Sequence, residues 1–250
     1  MPLLVMKFGG TSVADLARIE NAAKKVEKEV ARGYDVIVIV SAMSGKTNEL
    51  VGWVETTSPL YDAREYDAVV SSGENVTAGL MALTLQEMDV PARSWQGWQV
   101  PIQTTSAHAS ARFTAIPRAN IDAKFAEGFK VAVVAGFQGV TEAGDLTTLG
   151  RGGSDTTAVA LAAALRADRC EIYSDVDGVY SADPKKDPKA KKLETITYQD
   201  ALVQGLKVVD ATAFSLCMDN KMPMRVFGMQ PDSNVTDAIK GKKIGTFVTA

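Results

Sequence analysis

Gly150-Arg151-Gly152-Gly153-Ser154-Asp155 is the stretch on which the interpretation of this 250-residue chain depends. Its three glycines let the backbone turn tightly and approach a ligand closely, because no Cβ stands in the way. The alanine-rich run Thr156 to Ala167 follows and predicts a helix that opens at the end of this turn. Such a helix N-terminus can bind an anion. Taken alone, the stretch is equally consistent with an ordinary strand-to-helix turn that carries a surface arginine.

The residues upstream of the glycine turn predict its place in a sheet. Val131 to Phe137 is an apolar run of the kind found in buried parallel strands. The glycine turn should therefore lie near the carboxyl edge of a parallel sheet, where α/β proteins bind their ligands. Arg151 and Asp155 would place one cation and one carboxylate at the mouth of that site.

The N-terminal residues predict a second anion-binding turn. A short apolar strand, Leu3 to Phe8, runs into Gly9-Gly10-Thr11-Ser12, and a helix with 3.6-residue periodicity follows as far as Arg32. Backbone N–H groups and the two hydroxyls can line such a turn. Lys7 lies within the apolar strand, and a buried lysine is costly unless it meets an anion. We therefore expect Lys7 to contact a phosphoryl group.

A third turn follows the predicted strand Asp35 to Val40. Gly45-Lys46-Thr47 within it resembles the end of a Walker A loop, but the first glycine of that motif would have to occupy position 40, which is Val40. A P-loop is therefore excluded. Ser41 and Thr47 are interpreted as substrate or phosphate contacts, and an ordinary turn is almost as consistent with the sequence.

Two further segments supply candidate ligand contacts. Tyr66 to Leu80 predicts a short extended piece, a turn and a helix that runs to about Met88, with Glu74 in its first turn. A carboxylate there is favoured by the helix dipole alone, and it can also receive an ammonium group. Ser174 to Lys185 contains an Asp-x-Asp-Gly pattern, but Lys186 occupies the place of the EF-hand glutamate. Its acids and its tyrosine better suit ribose hydroxyls and a purine face.

Composition excludes several classes of protein. The net charge of -3 and the pI near 5.4 argue against a general nucleic-acid binder. Two cysteines without CxxC spacing and a single histidine, His108, cannot supply a disulfide framework, a zinc site or a Ser-His-Asp triad; His108 is interpreted as a surface polar residue. No apolar run reaches the ~18 residues of a membrane helix, and the chain begins directly with a strand. A cytoplasmic protein with no membrane partner is expected.

Strands that alternate with helices, without internal repeats, predict one doubly wound αβα sandwich. Five motifs, in this order, then carry a resemblance to a known family: Lys7-Phe8-Gly9-Gly10-Thr11-Ser12, Val40 to Asn48, Ser72-Gly73-Glu74, Gly150 to Asp155, and Asp175-Val176-Asp177-Gly178-Val179-Tyr180. Together they resemble the catalytic domain of aspartate kinases, within the amino acid kinase family, over residues 1 to about 190.

The resemblance implies a fold and an activity. The fold would be α/β, a three-layer αβα sandwich with a central, mainly parallel sheet, in one domain that spans residues 1–250. The activity would be ATP- and Mg²⁺-dependent phosphorylation of the side-chain carboxylate of L-aspartate, with 4-phospho-L-aspartate and ADP as products. A homodimer or higher homo-oligomer is expected.

The resemblance also assigns roles to residues. Lys7 would contact the transferred phosphoryl group and Asp155 would orient the reacting groups. Arg151 would bind the α-carboxylate of aspartate and Glu74 its ammonium group, with Ser41 and Thr47 on either side. The nucleotide and its phosphates would be bound by Gly9, Gly10, Thr11, Ser12, Gly153, Ser154, Ser174, Asp175, Tyr180, Asp183, Lys185 and Lys207.

The C-terminal third, from about Asp183 onward, is more similar to bacterial uridylate kinases, which share the fold. The similar stretches are Asp183 to Pro188, Gly205 to Phe214, Pro223 to Phe227 and Lys240 to Thr246. These stretches suggest a chimera in which residues 1 to about 185 form the acceptor side and residues from about 186 to 250 the nucleotide side. The regulatory ACT domains that follow the catalytic domain in aspartate kinases are not expected. A uridylate kinase and a catalytically silent nucleotide-binding scaffold are the alternative functions.

Overall fold

The computed structural model describes residues 2–150, 152–174, 177–182, 187, 189–204, 206, 217–219, 222–228 and 245–249. Its helices are α1 Leu16–Ala31, α2 Lys46–Thr57, α3 Ala63–Val70, α4 Ser72–Glu87, α5 Ala119–Ala126, α6 Gly153–Leu165 and α7 Tyr198–Val203, and a 3-10 turn spans Gly10–Val13. Its strands are β1 Leu3–Phe8, β2 Asp35–Val40, β3 Ala92–Trp95, β4 Gln103–Thr104, β5 Phe113–Ala115, β6 Val131–Ala135, β7 Gln138–Val140, β8 Leu146–Thr148, β9 Arg169–Ser174, β10 Thr195–Thr197, β11 Met224–Gly228 and β12 Thr246–Thr249.

An eight-stranded sheet in the order β10-β12-β11-β9-β1-β2-β6-β3 forms the centre of the molecule. All of its neighbouring pairs are parallel except β11 and β12. The predicted central, mainly parallel sheet is therefore confirmed.

A bilayer-spanning helix would need a long apolar run, and none of the described helices has one.

The central strands are buried on both faces, which produces the three layers. Successive residues of β2 point to opposite faces, so Ile37 packs into one core and Val38 into the other. The core on the first face includes Val159 and Leu161 of α6, and the core on the second face includes residues of α1 and α4. Near-continuous Val and Ile runs suit such strands because neither face meets water. Lys7 and Val5 are two residues apart on β1, so Lys7 points to the α6 face.

A small second sheet separates β6 from the glycine turn. Its four strands have the order β5-β4-β7-β8, and β7 and β8 form an antiparallel hairpin between the end of β6 and Gly150. The predicted strand Val131 to Phe137 therefore ends earlier, at Ala135, and Phe137 adopts a positive φ of 69°. Because of this hairpin, the glycine turn follows β8 in the chain rather than β6.

The segment around Tyr66 differs from its predicted extended conformation, because α3 spans it. Asp62 caps this helix, since its side chain accepts hydrogen bonds from the N–H groups of Arg64 and Glu65. Ser71 leads directly into α4, whose predicted end near Met88 is confirmed. The β-branched pair Val69-Val70 favoured a strand, but the cap and the packing of α3 outweigh this local preference.

We predict that Gly136→Ala destabilises the fold. An added Cβ would stand 2.9 Å from both Cβ and Oγ of Ser154 and 3.0 Å from Cγ2 of Ile39, so the start of α6 would have to move away from the sheet. The expected loss is about 1–3 kcal/mol of unfolding free energy, measured by urea denaturation.

Gly79→Ala is the matched control for this substitution. Gly79 lies inside α4, and a Cβ there would meet nothing within 4 Å. Its unfolding free energy should rise by about 0.5–1 kcal/mol, because alanine is the better helix former. Equal effects of the two substitutions would contradict the close approach of α6 to the sheet.

Candidate active site

Loops from several elements meet around a cavity of ≈ 500 Å³ at the carboxyl edge of the central sheet. Its wall comes from the end of β1, the loop after β2, helices α2, α3 and α4, and the glycine turn with the start of α6. The lining residues are Lys7, Ser41, Thr47, Asn48, Val51, Tyr66, Glu74, Ala109, Phe137, Gly150, Gly152, Gly153, Ser154 and Asp155. Seven of the residues predicted from the sequence are thus brought together: Lys7, Ser41, Thr47, Glu74, Gly153, Ser154 and Asp155.

Lys7 and Asp155 form an ion pair at this cavity. Lys7 Nζ lies 2.6 Å from Asp155 Oδ1, and the side chains are 10% and 17% exposed. The lysine comes from the central strand β1 and the aspartate from the first turn of α6, so the pair joins sheet to helix. A Cβ on Gly9 would lie 3.4 Å from Lys7 Nζ, so the glycine keeps space open beside the ammonium group. A cation is therefore fixed at the cavity wall with room for an anion next to it.

Glu74 places a buried carboxylate at the same cavity. It is only 3% exposed, and its Oε1 accepts a hydrogen bond of 3.0 Å from the N–H of Ala42. Its Oε2 has no hydrogen-bond partner among the described residues. Burial raises the pKa of the Glu74 carboxyl to about 7, and the hydrogen bond from Ala42 offsets this only in part. Such a group is costly without a cation, so the site is suited to a positively charged ligand group.

Gly73 allows this carboxylate to reach the loop after β2. A Cβ at position 73 would stand 2.8 Å from the Cβ of Ala42, which is too close for two carbon atoms. Glycine lets the start of α4 approach the loop closely enough for the Glu74–Ala42 hydrogen bond to form. The position of Glu74 thus depends on its neighbour in the chain.

The glycine turn presents backbone to the cavity. Gly150 and Gly152 have positive φ angles of 80° and 76°, which favour glycine over other residues. No side chain of the described residues caps the N-terminus of α6, and a Cβ on Gly153 would stand 2.7 Å from Cδ2 of Phe137. The turn therefore has the open helix N-terminus predicted for an anion site, with Ser154 at its first turn.

A smaller cavity of ≈ 360 Å³ adjoins the first and shares Ser41, Thr47 and Asn48 with it. Gly10 and Thr11, for which the sequence predicts a phosphate-binding role, line this second cavity. A Cβ on Gly10 would stand 2.9 Å from the carbonyl oxygen of Ala42, so this turn also needs a glycine. Ser12 is 6% exposed and lines neither cavity.

Several residues predicted to contact the nucleotide either line neither cavity or lie outside the described part of the chain. Ser174 ends β9, and Tyr180 donates a hydrogen bond of 2.6 Å to Asp177 Oδ1 and lines neither cavity. The remaining predicted site residues lie outside the described part of the chain: Arg151, Asp175, Asp183, Lys185 and Lys207. Their roles stay predictions.

Five lining residues were missed by the sequence analysis: Asn48, Val51, Tyr66, Ala109 and Phe137. Asn48 ends the motif Val40 to Asn48, and that position is the signal that could have found it. The other four belong to no motif, so nothing in the sequence indicates that they face a cavity. Ala109 and Phe137 share positive φ angles of 61° and 69°, which are uncommon for residues other than glycine. Backbone strain of this kind is found at functional sites, but the sequence does not predict it at an alanine or a phenylalanine.

The comparison with known proteins gives this geometry a family. The profile of the amino acid kinase family matches residues 2–228. The chain belongs to the amino acid kinase family. Aspartate kinase of Pseudomonas putida is 49% identical over 229 residues, which are 90% of this chain and 56% of that protein. Aspartokinase 2 of Bacillus subtilis is 44% identical over the same shares of the two chains.

Solved structures of this family have the same fold. The aspartate kinase from Synechocystis superposes with a TM-score of 0.84 at 39% identity, over 99% of this chain and 40% of that one. Aspartokinase III of E. coli in complex with aspartate and ADP gives a TM-score of 0.85 at 26% identity, over 99% of this chain and 64% of that one. The UMP kinase from Bacillus anthracis, at 20% identity and a TM-score of 0.75, shares the fold alone.

The extent of these matches bears on the predicted chimera. The aspartokinase of Rickettsia bellii is 40% identical over 262 aligned positions that include 100% of this chain. The likeness to aspartokinases is therefore not confined to residues 1 to about 190, and the comparisons give no support to a separate origin of the C-terminal third. The chain spans little more than half the length of most curated relatives that it matches.

We predict that Glu74→Gln stabilises the fold at alkaline pH. Because the folded state raises the pKa of Glu74 from 4.5 to about 7, it holds a proton that the unfolded chain releases between these values. Stability should therefore fall as the pH rises through this window, by up to about 3 kcal/mol, and glutamine avoids that loss.

Urea denaturation at pH 5 and pH 8 tests this prediction. The gain of Glu74→Gln over the unsubstituted protein should be larger at pH 8 than at pH 5. Glu49→Gln changes an exposed carboxylate on α2. It should change the unfolding free energy by the same amount at both pH values. The same gain at both pH values for Glu74→Gln would show that Glu74 bears no burial cost.

Proposed function

We propose that this chain transfers the γ-phosphoryl group of ATP to the side-chain carboxylate of L-aspartate, giving 4-phospho-L-aspartate and ADP. The observation that carries the proposal is an oxygen of buried Glu74 that has no hydrogen-bond partner in the described part of the chain. Glu74 shares one cavity with the Lys7–Asp155 ion pair. The cavity thus offers an anion to a ligand's ammonium group and a cation to a phosphoryl group. The relatives named aspartate kinase, and the one solved with aspartate and ADP, support this acceptor.

The acceptor would bind through its two ends. Glu74 Oε2 receives the ammonium group, while the hydroxyls of Ser41 and Thr47, which line the same cavity, donate to carboxylate oxygens. Arg151 would clamp the α-carboxylate with its planar guanidinium group, in keeping with its place in the glycine turn. The side-chain carboxylate is then directed towards Lys7.

The phosphoryl donor would occupy the glycine-lined side of the cavities. Gly9 lies beside Lys7, and Gly10 and Thr11 line the smaller cavity. The N-terminus of α6, which no described side chain caps, lies at the larger cavity. Lys7 stabilises the charge of the transferred phosphoryl group, and Asp155 fixes the lysine in place. Phosphoryl transfer depends mainly on such positioning and charge stabilisation.

Mg²⁺ would accompany the nucleotide. Among the described residues no group of three or more His, Cys, Asp or Glu side chains could hold a metal ion. Asp155 is the only carboxylate other than Glu74 in the described lining, which suits an ion bound mainly by phosphate oxygens and water. The ion would neutralise phosphate charge during transfer.

Three finer parts of the proposal go beyond the shared fold. ATP and L-aspartate are both metabolites of the cytoplasm, so we place the reaction there. A homodimer or higher homo-oligomer stays a prediction, as does the mixed ancestry suggested by the motifs after about Asp183. A uridylate kinase activity gains nothing from the UMP kinase structures, because at 20% and 24% identity they indicate the fold alone.

A coupled ADP-release assay tests the proposed reaction. We expect turnover with L-aspartate and background rates with UMP or with no acceptor. Lys7→Met should reduce the aspartate-dependent kcat by at least about a hundredfold, because the phosphoryl group loses its fixed cation.

Lys24→Met is the matched control, since Lys24 lies on the exposed side of α1 and pairs with Glu20. It should leave both kcat and KM unchanged. Turnover with UMP but not with aspartate, or an unaltered kcat in Lys7→Met, would contradict the proposal.

A further inference from the structure

Asp67 is a fully buried carboxylate that does not line either cavity. It lies on α3 and accepts hydrogen bonds from donors on two other segments. The N–H of Ala109 lies 3.0 Å from Oδ1 and 3.1 Å from Oδ2, and Nδ1 of His108 lies 2.8 Å from Oδ2. The hydroxyl of Thr148, at the end of β8, donates to Oδ1. One side chain thus joins α3, the turn around Ala109 and β8.

These donors offset the cost of burying a charge. A carboxylate without partners would be strongly disfavoured at 0% exposure, and each hydrogen bond to it is stronger than one between neutral groups. Because an ionised carboxylate has no proton to donate, Nδ1 of His108 must carry the proton in this contact. Loss of Asp67 would therefore leave several donors in the turn and in β8 without their acceptor.

The turn that Asp67 holds is strained. Ala109 has a φ of 61°, in the left-handed region, which is unfavourable for a residue with a Cβ. Within the turn, the N–H of Ser110 donates to the carbonyl of Ala107 at 3.1 Å. Two contacts from outside the turn also hold Ala109: its own N–H is bound by Asp67, and the N–H of Ala111 donates to the carbonyl of Thr148 at 2.9 Å. Backbone strain persists only where the surroundings enforce it. Asp67 and β8 supply the part of that enforcement that comes from outside the turn.

Residues that Asp67 holds, or that adjoin it in the chain, form part of the cavity wall. Ala109 lines the larger cavity beside Gly150, and a Cβ on Gly150 would lie 3.4 Å from the carbonyl oxygen of Ala109. Thr148 is two residues before Gly150 in the chain, and Tyr66, the residue before Asp67, lines the cavity from α3. The hydrogen bonds of one buried carboxylate therefore fix the positions of three parts of the cavity wall.

We propose that Asp67 is a positioning residue for the amino acid acceptor, and that it acts by fixing the Ala109 turn against the glycine turn. This inference rests on the proposed function. The acceptor is favoured over the nucleotide because the cavity that Ala109 and Tyr66 line contains Glu74, the proposed ammonium site; of the nucleotide, only the transferred phosphoryl group would enter this cavity, at Lys7. Neither of them lines the smaller cavity, where Gly10 and Thr11 form the predicted phosphate-binding wall. Asp67 itself touches no substrate; the residues that it holds do.

Steady-state kinetics with Asp67→Ala and Asp67→Asn test the proposal. Asp67→Ala should raise the KM for L-aspartate by at least about tenfold, with the KM for ATP changed by less than about twofold. Asp67→Asn should restore most of the affinity. Its amide oxygen can accept from Ala109 and Thr148, and its NH₂ can donate to His108 if the ring takes its other tautomer.

Two further variants separate positioning from stability. Asp62→Ala removes the cap of α3 without touching the Ala109 turn, so it should lower the melting temperature and leave the KM for aspartate unchanged. Thr148→Val keeps the shape of a buried side chain and removes one donor, so it should fold and raise the KM for aspartate to a smaller extent. Thr148→Val carries the test if Asp67→Ala fails to fold.

Distinct results would overturn the inference. An unchanged KM for aspartate in Asp67→Ala, or in Thr148→Val where Asp67→Ala does not fold, would remove the positioning role. An equal rise in the KM values of both substrates, or the same rise in Asp62→Ala, would show general loosening of the site instead. If the unsubstituted protein shows no aspartate-dependent turnover, the proposed function fails first and the inference fails with it.

Discussion

The geometry of a buried parallel sheet is the constraint on which the site depends. Parallel neighbours end at the same edge, so the chain leaves β1, β2 and β6 side by side. The hydrogen-bond ladder continues past the strand ends, with the N–H of Ser41 bound to the carbonyl of Phe8 at 3.2 Å and that of Gly136 to Val40 at 3.0 Å. Loops that are far apart in the sequence therefore begin at fixed positions on one edge. The cavity lies where these loops meet.

Charge is distributed over this edge in a way that suits an amino acid beside a phosphate. Lys7 is held by Asp155, so the cation is fixed while the pair as a whole remains partly exposed. Glu74 is buried without a cation among the described residues, and its raised pKa expresses the cost. A ligand with an ammonium group offsets the free-energy cost of the buried Glu74 carboxylate when it binds, whereas a ligand without one does not. Selectivity for the acceptor would follow from this difference.

Much of the fold could be predicted from local sequence, whereas the cavity wall could not. The strand Asp35–Val40 and the start of α6 follow from apolar runs and glycine turns, which are local signals. The helix α3 was missed because its cap and its tertiary packing outweigh two valines. His108, interpreted as a surface residue, is in fact 17% exposed and bound to Asp67. A contact across 41 residues leaves no spacing pattern, so the sequence cannot indicate it.

The most direct test of the central claim is a crystal structure of the protein with L-aspartate and a non-hydrolysable ATP analogue. We expect the ammonium nitrogen of aspartate within hydrogen-bond distance, about 2.7–3.2 Å, of Glu74 Oε2, and the side-chain carboxylate facing Lys7 and the terminal phosphate. Aspartate bound with its ammonium group away from Glu74, or bound outside the cavity that Lys7 and Asp155 line, would contradict the account.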